Sequence, residues 1–147
     1  MTENEIRVWL KSIKLDTDEM RKIFEQIAEL RAIAESCTVR TDKESVQSSG
    51  SGDKMARVVG KIVDLERKIS HSEKIVAKRR KEFEEIAGKM SDDRQRDFLT
   101  TRYYDGNSFY ETVMILDLSD STARRVEKRA ISEFTKLKND HDTIFSV

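Results

Sequence analysis

Residues 106–137 read GNSFYETVMILDLSDSTARRVEKRAISEFTKL, and the punctuation of this stretch decides how the rest of the chain is read. Ser108 and Glu111 make an S-x-x-E capping box, which satisfies two orphan backbone donors and is worth ~1 kcal/mol. The spacing predicts a short helix from Phe109 to Leu116, a turn at Asp117 and Leu118, and a second helix capped by Ser119 and running to about Lys138. Ala123, Val126, Ala130, Phe134 and Leu137 fall on one face of that second helix. Asp120, Ser121, Arg124, Arg125 and Lys128 fall on the other. Two short helices set at an angle across a tight turn form a helix-turn-helix pattern.

A major groove admits one helix, and only its N-terminal turns reach base edges. On this reading Arg124 and Arg125 address guanine edges or phosphates. Ser121, Thr122 and the helix N-terminus hold a phosphate, Lys128 extends the basic side, and Asp120 accepts from cytosine or orients an arginine. A packed helical module with a merely solvated basic face fits the helix pattern as well, and the pattern alone leaves both readings open.

Immediately upstream, Ser91 with Asp92 and Asp93 marks a helix start, a hydroxyl cap followed by acids at the positive end of the dipole. This helix is expected to run to about Tyr104 with Phe98, Leu99 and Tyr103 inward. Asp105-Gly106-Asn107 then stops it, Gly supplying a left-handed residue. Further back, steps of three and four from Met55 give Met55, Val58, Ile62, Leu65, Ile69, Ser72, Val76, Arg79, Phe83, Ile86 and Met90. Nine of these eleven are apolar, a heptad seam. Arg79 is expected to snorkel from the end of that stripe, and the run Lys78 to Lys81 reads as a solvated face rather than a DNA contact, since Glu82, Glu84 and Glu85 follow at once.

The same stepping from Ile6 gives Ile6, Trp9, Ile13, Asp16, Met20, Ile23, Ile27, Leu30, Ala34 and Cys37, nine of ten apolar. Asp16, followed by Thr17 and Asp18, either breaks the helix or is a polar seam residue that fixes register. Between the seams, residues 38–52 lose periodicity and end in Ser and Gly, which predicts a loop of about 15 residues, with Asp53 capping the next helix. Two matching seams joined by a loop fold back most simply as an antiparallel hairpin. Leu10, Phe24, Ile33, Val59 and Ile75 lie just off the seams. They ask for a third surface, either the C-terminal module or another copy of the hairpin. The expected fold class is therefore all-α: a long coiled-coil-like hairpin over residues 1–90 with a loop at 38–52, a helix-turn-helix module over 91–138, and a tail over 139–147.

Lys and Arg number 28 against 28 Asp and Glu, so net charge gives no support to nucleic-acid binding and the charges must be counted locally. Over residues 119–138 six bases face three acids, and over 53–90 eleven face seven. The single cysteine, Cys37, cannot form an internal disulfide and reads as a small buried hydrophobe on the seam. Without a signal-type or membrane-length apolar run, the expected location is the cytosol, with no membrane partner. His71 and His141 stand 70 residues apart with no Cys or His neighbour at metal spacing, and no phosphate-cradling Gly motif or nucleophile elbow occurs. The expectation is a non-catalytic protein with no cofactor and no metal.

RYYDGNSFYETVMILDLSDSTARRVEKRAISEF, residues 102–134, resembles region 4 of sigma-70-type factors. There the turn is followed by a helix of the form S/T-x-x-x-(apolar)-R-x-(apolar)-E-x-(basic)-A-(apolar), matched here by Ser119, Arg124, Val126, Glu127, Arg129, Ala130 and Ile131. The wider chain resembles the ArpU/RinA-type phage and prophage transcriptional regulators, which pair a helical hairpin with such a module. Their linker carries a V-Q-S-S-G segment like Val46 to Gly50, followed by D-K-M like Asp53 to Met55. The resemblance implies sequence-specific binding of double-stranded DNA and transcription control, with Asp120, Ser121, Arg124 and Arg125 at the base-reading positions. A homo-oligomer, dimeric on the simplest reading, is the expected assembly. Met114 and Ile115, an apolar pair on the module's surface, fit a partner such as RNA polymerase or a second subunit. The competing reading is a protein-interaction adaptor that uses the hairpin and this patch.

Overall fold

The computed structural model describes residues 1–43 and 49–145, with residues 37–43 and 49–51 as backbone only. Among them are five α-helices, one π-helical segment and no strand: α1 Glu3–Lys43, α2 Ser49–Ala87, α3 Asp93–Leu99, the π-helical segment Thr100–Tyr104, α4 Phe109–Ile115 and α5 Asp120–Phe145. The all-α expectation holds.

α1 opens on a reciprocal cap between Thr2 and Glu5. The Glu5 amide donates to Thr2 Oγ1 at 3.3 Å, and the Thr2 amide donates to Glu5 Oε2 at 2.8 Å. The helix then continues through Asp16, Thr17 and Asp18, so of the two readings there the break does not occur and Asp16 stays in the seam as a polar residue. Asp16 is held by an ion pair with Arg79, which is therefore paired rather than snorkelling. The two ionisable exceptions to the two seams satisfy each other. Arg80, from the same basic run, is also used internally: its guanidinium lies 3.8 Å over the Tyr104 ring and donates to the Tyr104 carbonyl.

The predicted loop is too wide at both edges. α1 reaches Lys43 and α2 starts at Ser49, ahead of Asp53, which is not its cap. Residues 38–43 contain neither Pro nor Gly, so their loss of apolar periodicity removes a packing face without removing helical geometry. Residues 44–48, with most of the Val46 to Gly50 segment, lie outside the described residues, as does the Cys37 side chain.

Contacts group the chain into two units, Met1–Asp16 with Val76–Val147, and Thr17–Ile75. The grouping thus divides inside both long helices. In the unit of residues 17–75, Ile23, Ile27 and Ile69 pack with Ile62 and Leu65, and Arg31 pairs with Glu66 at 3.0 Å. Phe24, Ile33, Val59 and Val63 stay exposed on it.

The other unit has two cores. The larger joins Ile6, Leu10 and Ile13 of α1 to Phe83, Ile86 and Ala87 of α2, Met90, Leu99 and Tyr103, and Ala130, Ile131 and Phe134 of α5. Leu10 is fully buried there, so for this residue the third surface is the C-terminal module. The smaller core joins Phe98, Ala123 and Val126, with Phe109, Val113, Leu116 and Leu118 against them.

α2 is closed by Arg96, whose Nε donates to the Ala87 carbonyl at 2.9 Å and whose other nitrogens reach the Met90 carbonyl and Asp93. This places a cation where the carbonyl end of a helix favours one. The cap of α3 is Asp92 rather than Ser91: its carboxylate accepts from the Arg94 and Gln95 amides, and Ser91 instead donates to Glu133. Phe98, Leu99 and Tyr103 point inward as expected, although the helix widens into the π-helical segment, where the Asp105 amide donates to the Thr100 carbonyl at 2.8 Å. Gly106 follows with φ +80°, the left-handed residue expected. The tail expected after Asn139 is instead the end of α5, and His141 is buried in it.

Candidate nucleic-acid interface

Ser108 caps α4 by accepting from the Glu111 amide at 3.1 Å, and the buried Thr112 hydroxyl donates to the Ser108 carbonyl. The end of α4 is a six-to-one and five-to-two closure. The Leu118 amide donates to Val113 O at 3.1 Å and the Asp117 amide to Met114 O at 3.3 Å, with Asp117 at φ +53°. This is the Schellman arrangement, including an apolar partnership of Val113 and Leu118 in the smaller core. It turns the chain through a fixed angle into Ser119, whose hydroxyl accepts from the Thr122 amide and caps α5. Ala123 and Val126 then seat the first turns of α5 on α3 and α4, so the opposite side must face solvent.

Of the residues singled out in the sequence, Asp120, Ser121, Arg124, Arg125 and Lys128 are exposed and Thr122 is half-buried. They do not form one cluster. Arg124 lies toward α4, its guanidinium 5.4 Å from the Phe109 ring centre. Arg125 folds back toward the Ser121 carbonyl on the other flank. There Thr122, Arg125 and Arg129, at intervals of three and four along α5, face the start of α3 across a cleft of about 330 Å³. Arg94, Gln95 and Asp92 complete its walls.

Three arginines thus line the cleft against one acid, and the Asp92 carboxylate is already taken up as the α3 cap. Gln95 Oε1 is buried there without a hydrogen-bond partner. Such an arrangement suits an anion with several acceptor oxygens, because guanidinium groups match phosphate oxygens in pairs. Arg94 was not a candidate from sequence, since nothing local marks it. Only the packing of α3 against α5 brings it to Arg125. Arg129 had a local signal, its position four residues after Arg125.

Glu127 faces the other way. Its Oε1 accepts from the Tyr103 hydroxyl at 2.8 Å and pairs with Arg7 at 3.4 Å, which ties α5 to the π-helical segment and to α1. Burial, and then the Glu127 charge, hold the Tyr103 hydroxyl protonated well above the ordinary tyrosine range. On α4, Tyr110, Met114 and Ile115 are exposed, Met114 at 81%. Ligand atoms of metal-binding type converge elsewhere, at Glu82, His141 and Asp142. No helix among the described residues is long and apolar enough to cross a membrane. No protein-family model, curated protein or solved structure matches the chain.

Proposed function

We propose that the chain is a sequence-specific, non-catalytic DNA-binding transcriptional regulator in which α4, its turn and α5 act as a helix-turn-helix of the sigma region 4 kind. The first turns of α5 enter the major groove. The observation that carries this reading is the arginine cleft beside those turns: Arg94, Arg125 and Arg129 stand at the rim of the exposed face that holds Ser121, Arg124 and Lys128. A backbone phosphate held by Arg94 and Arg129 would set the register of α5, while Arg124, Arg125, Ser121 and Asp120 address base edges. The chain's charge is balanced, so binding rests on this local face and not on long-range attraction. The resemblance to ArpU/RinA-type regulators agrees with this, and α1 with α2 then serve as the arms of a pairing hairpin.

Footprinting of the purified chain on its own upstream DNA tests the reading, with the salt dependence of affinity as the second readout. Replacing Arg124 and Arg125 by Ala should abolish site preference. Arg94→Ala or Arg129→Ala should weaken binding to all sequences alike and lower the salt slope by about one unit each. Footprints unchanged in the Arg124/Arg125 double variant would sink the base-reading assignment.

The exposure of Tyr110, Met114 and Ile115 favours a second reading, an adaptor that docks a protein through α4. It predicts that Met114→Ser with Ile115→Ser loses a co-purifying protein, and a clean footprint by the chain alone counts against it.

A further inference from the structure

The C-terminal turns of α5 carry a polar cluster that the DNA reading does not use. Lys138, His141 and Asp142, three and four residues apart, share one face and meet Glu82 and Glu85 of α2. Lys138 is almost fully enclosed, its ammonium 2.6 Å from Glu82 Oε1, 3.2 Å from Asp142 Oδ1 and 4.6 Å from the centre of the Trp9 ring. Two carboxylates, Glu82 and Asp142, therefore hold one ammonium, with a third, Glu85, on His141 beside them, an excess of negative charge in a half-buried site.

His141 is buried, with 9% of the residue and 11% of its side chain exposed. Its Nε2 is 3.2 Å from Glu85 Oε2, and in the neutral tautomer with the N–H there Nδ1 offers its lone pair. Nδ1 is buried and without a hydrogen-bond partner, aimed between Glu82 Oε1 and Asp142 Oδ1 at 3.8 Å from each. Three electron-pair donors thus converge within 4.8 Å of one another. Donors bound at about 2.1 Å to a tetrahedral ion stand about 3.4 Å apart, so the two 3.8 Å gaps from His141 close by a few tenths of an ångström, and the Glu82 and Asp142 oxygens, within 4.8 Å of each other, by up to about 1.4 Å. The outer partner is in place as well, because a metal-bound histidine ordinarily gives its second N–H to a carboxylate, as His141 does to Glu85.

We propose that Glu82, His141 and Asp142 form a site for a divalent ion of borderline softness, Zn²⁺ above all, which binds in exchange for the Lys138 ammonium. A mixed nitrogen and oxygen donor set selects such an ion over Mg²⁺, which demands an octahedron of oxygens. The long lysine side chain swings out with its charge, and a doubly charged ion takes its place between Glu82 and Asp142. Bound there, the ion cross-links α5 to α2.

The test is a metal titration of the whole chain after chelator treatment, read by thermal unfolding. Zn²⁺ at about 100-fold over its dissociation constant should raise Tm by roughly 5–10 °C, and Mg²⁺ should not. Lys138→Gln, which removes the competing cation, should tighten zinc binding, and Glu85→Gln should weaken it roughly tenfold. His141→Gln should abolish the shift while His71→Gln keeps it. A shift retained in His141→Gln, or zinc binding no tighter in Lys138→Gln than in the wild type, overturns the proposal. So does the absence of saturable binding in both. Where His141→Gln does not fold, Asp142→Asn, which leaves the Lys138–Glu82 pair standing, carries the same test.

Discussion

Tyr103 and Asp117 show what single residues hold in place. The Tyr103 phenol is buried with its hydroxyl on Glu127, and both burial and that carboxylate favour the protonated form. The native state therefore keeps its proton to higher pH than the unfolded chain, whose tyrosine releases it at about pH 10. The stability so gained is complete below that value and is lost as pH rises above it, at up to ~1.4 kcal/mol per pH unit for one proton. Tyr103→Phe should cost about 1 kcal/mol at pH 8 and then lose less than the wild type between about pH 10 and 11.5, as read by urea unfolding across the series. Asp117 sits in the left-handed region, which Asp tolerates better than most residues and Gly better still. Asp117→Gly should raise Tm, and Asp117→Ala should lower stability by about 1 kcal/mol. That a turn falls at Asp117 was legible in the sequence; the sign of its φ was not, because Asp serves both hands.

Among elements, the long helices were the most legible, since a repeat of three and four sustained over many turns has few other meanings. What failed was their punctuation. Asp16 resembled a helix start because its partner is 63 residues away, and no local rule anticipates Arg79. Residues 38–43 resembled loop because they lack a face to bury, yet nothing in them stops a helix. The π-helical segment was equally invisible: one widened turn leaves the apolar spacing of Phe98, Leu99 and Tyr103 readable as an ordinary helix. The Asp16–Arg79 pair gives an element-level prediction. Arg79→Leu alone leaves a partly buried carboxylate unpaired and should destabilise by about 1–2 kcal/mol. Asp16→Leu with Arg79→Leu extends both apolar seams and should recover most of that loss in a double-mutant cycle. Similarly, Arg96→Ala uncovers the carbonyl end of α2 and should lower stability by about 1–2 kcal/mol in chemical denaturation.

At the scale of the molecule, the order of the chain and the order of its contacts disagree. Read along the sequence, residues 91–138 are a self-contained module. In space, its core is shared with Ile6, Leu10 and Ile13 from one end of α1 and Phe83 and Ile86 from one end of α2. The candidate DNA face was legible on α5 because a helix face is local. Its neighbour Arg94, and the tie from Glu127 to Arg7, were not, because both are made by packing. Leu10→Ala, more than a hundred residues from Arg125, should therefore cost about 3 kcal/mol and loosen the seat of α5, measured as a fall in Tm.

The shared core also sets an order of events during synthesis. Ile6, Leu10 and Ile13 leave the ribosome first, but the α5 residues they pack against follow only about 120 positions later, on the order of ten seconds at ordinary elongation rates. For that interval the N-terminal apolar stripe is unpaired with its final partner, so the nascent chain, far more than the finished one, is the species that chaperones would be expected to attend.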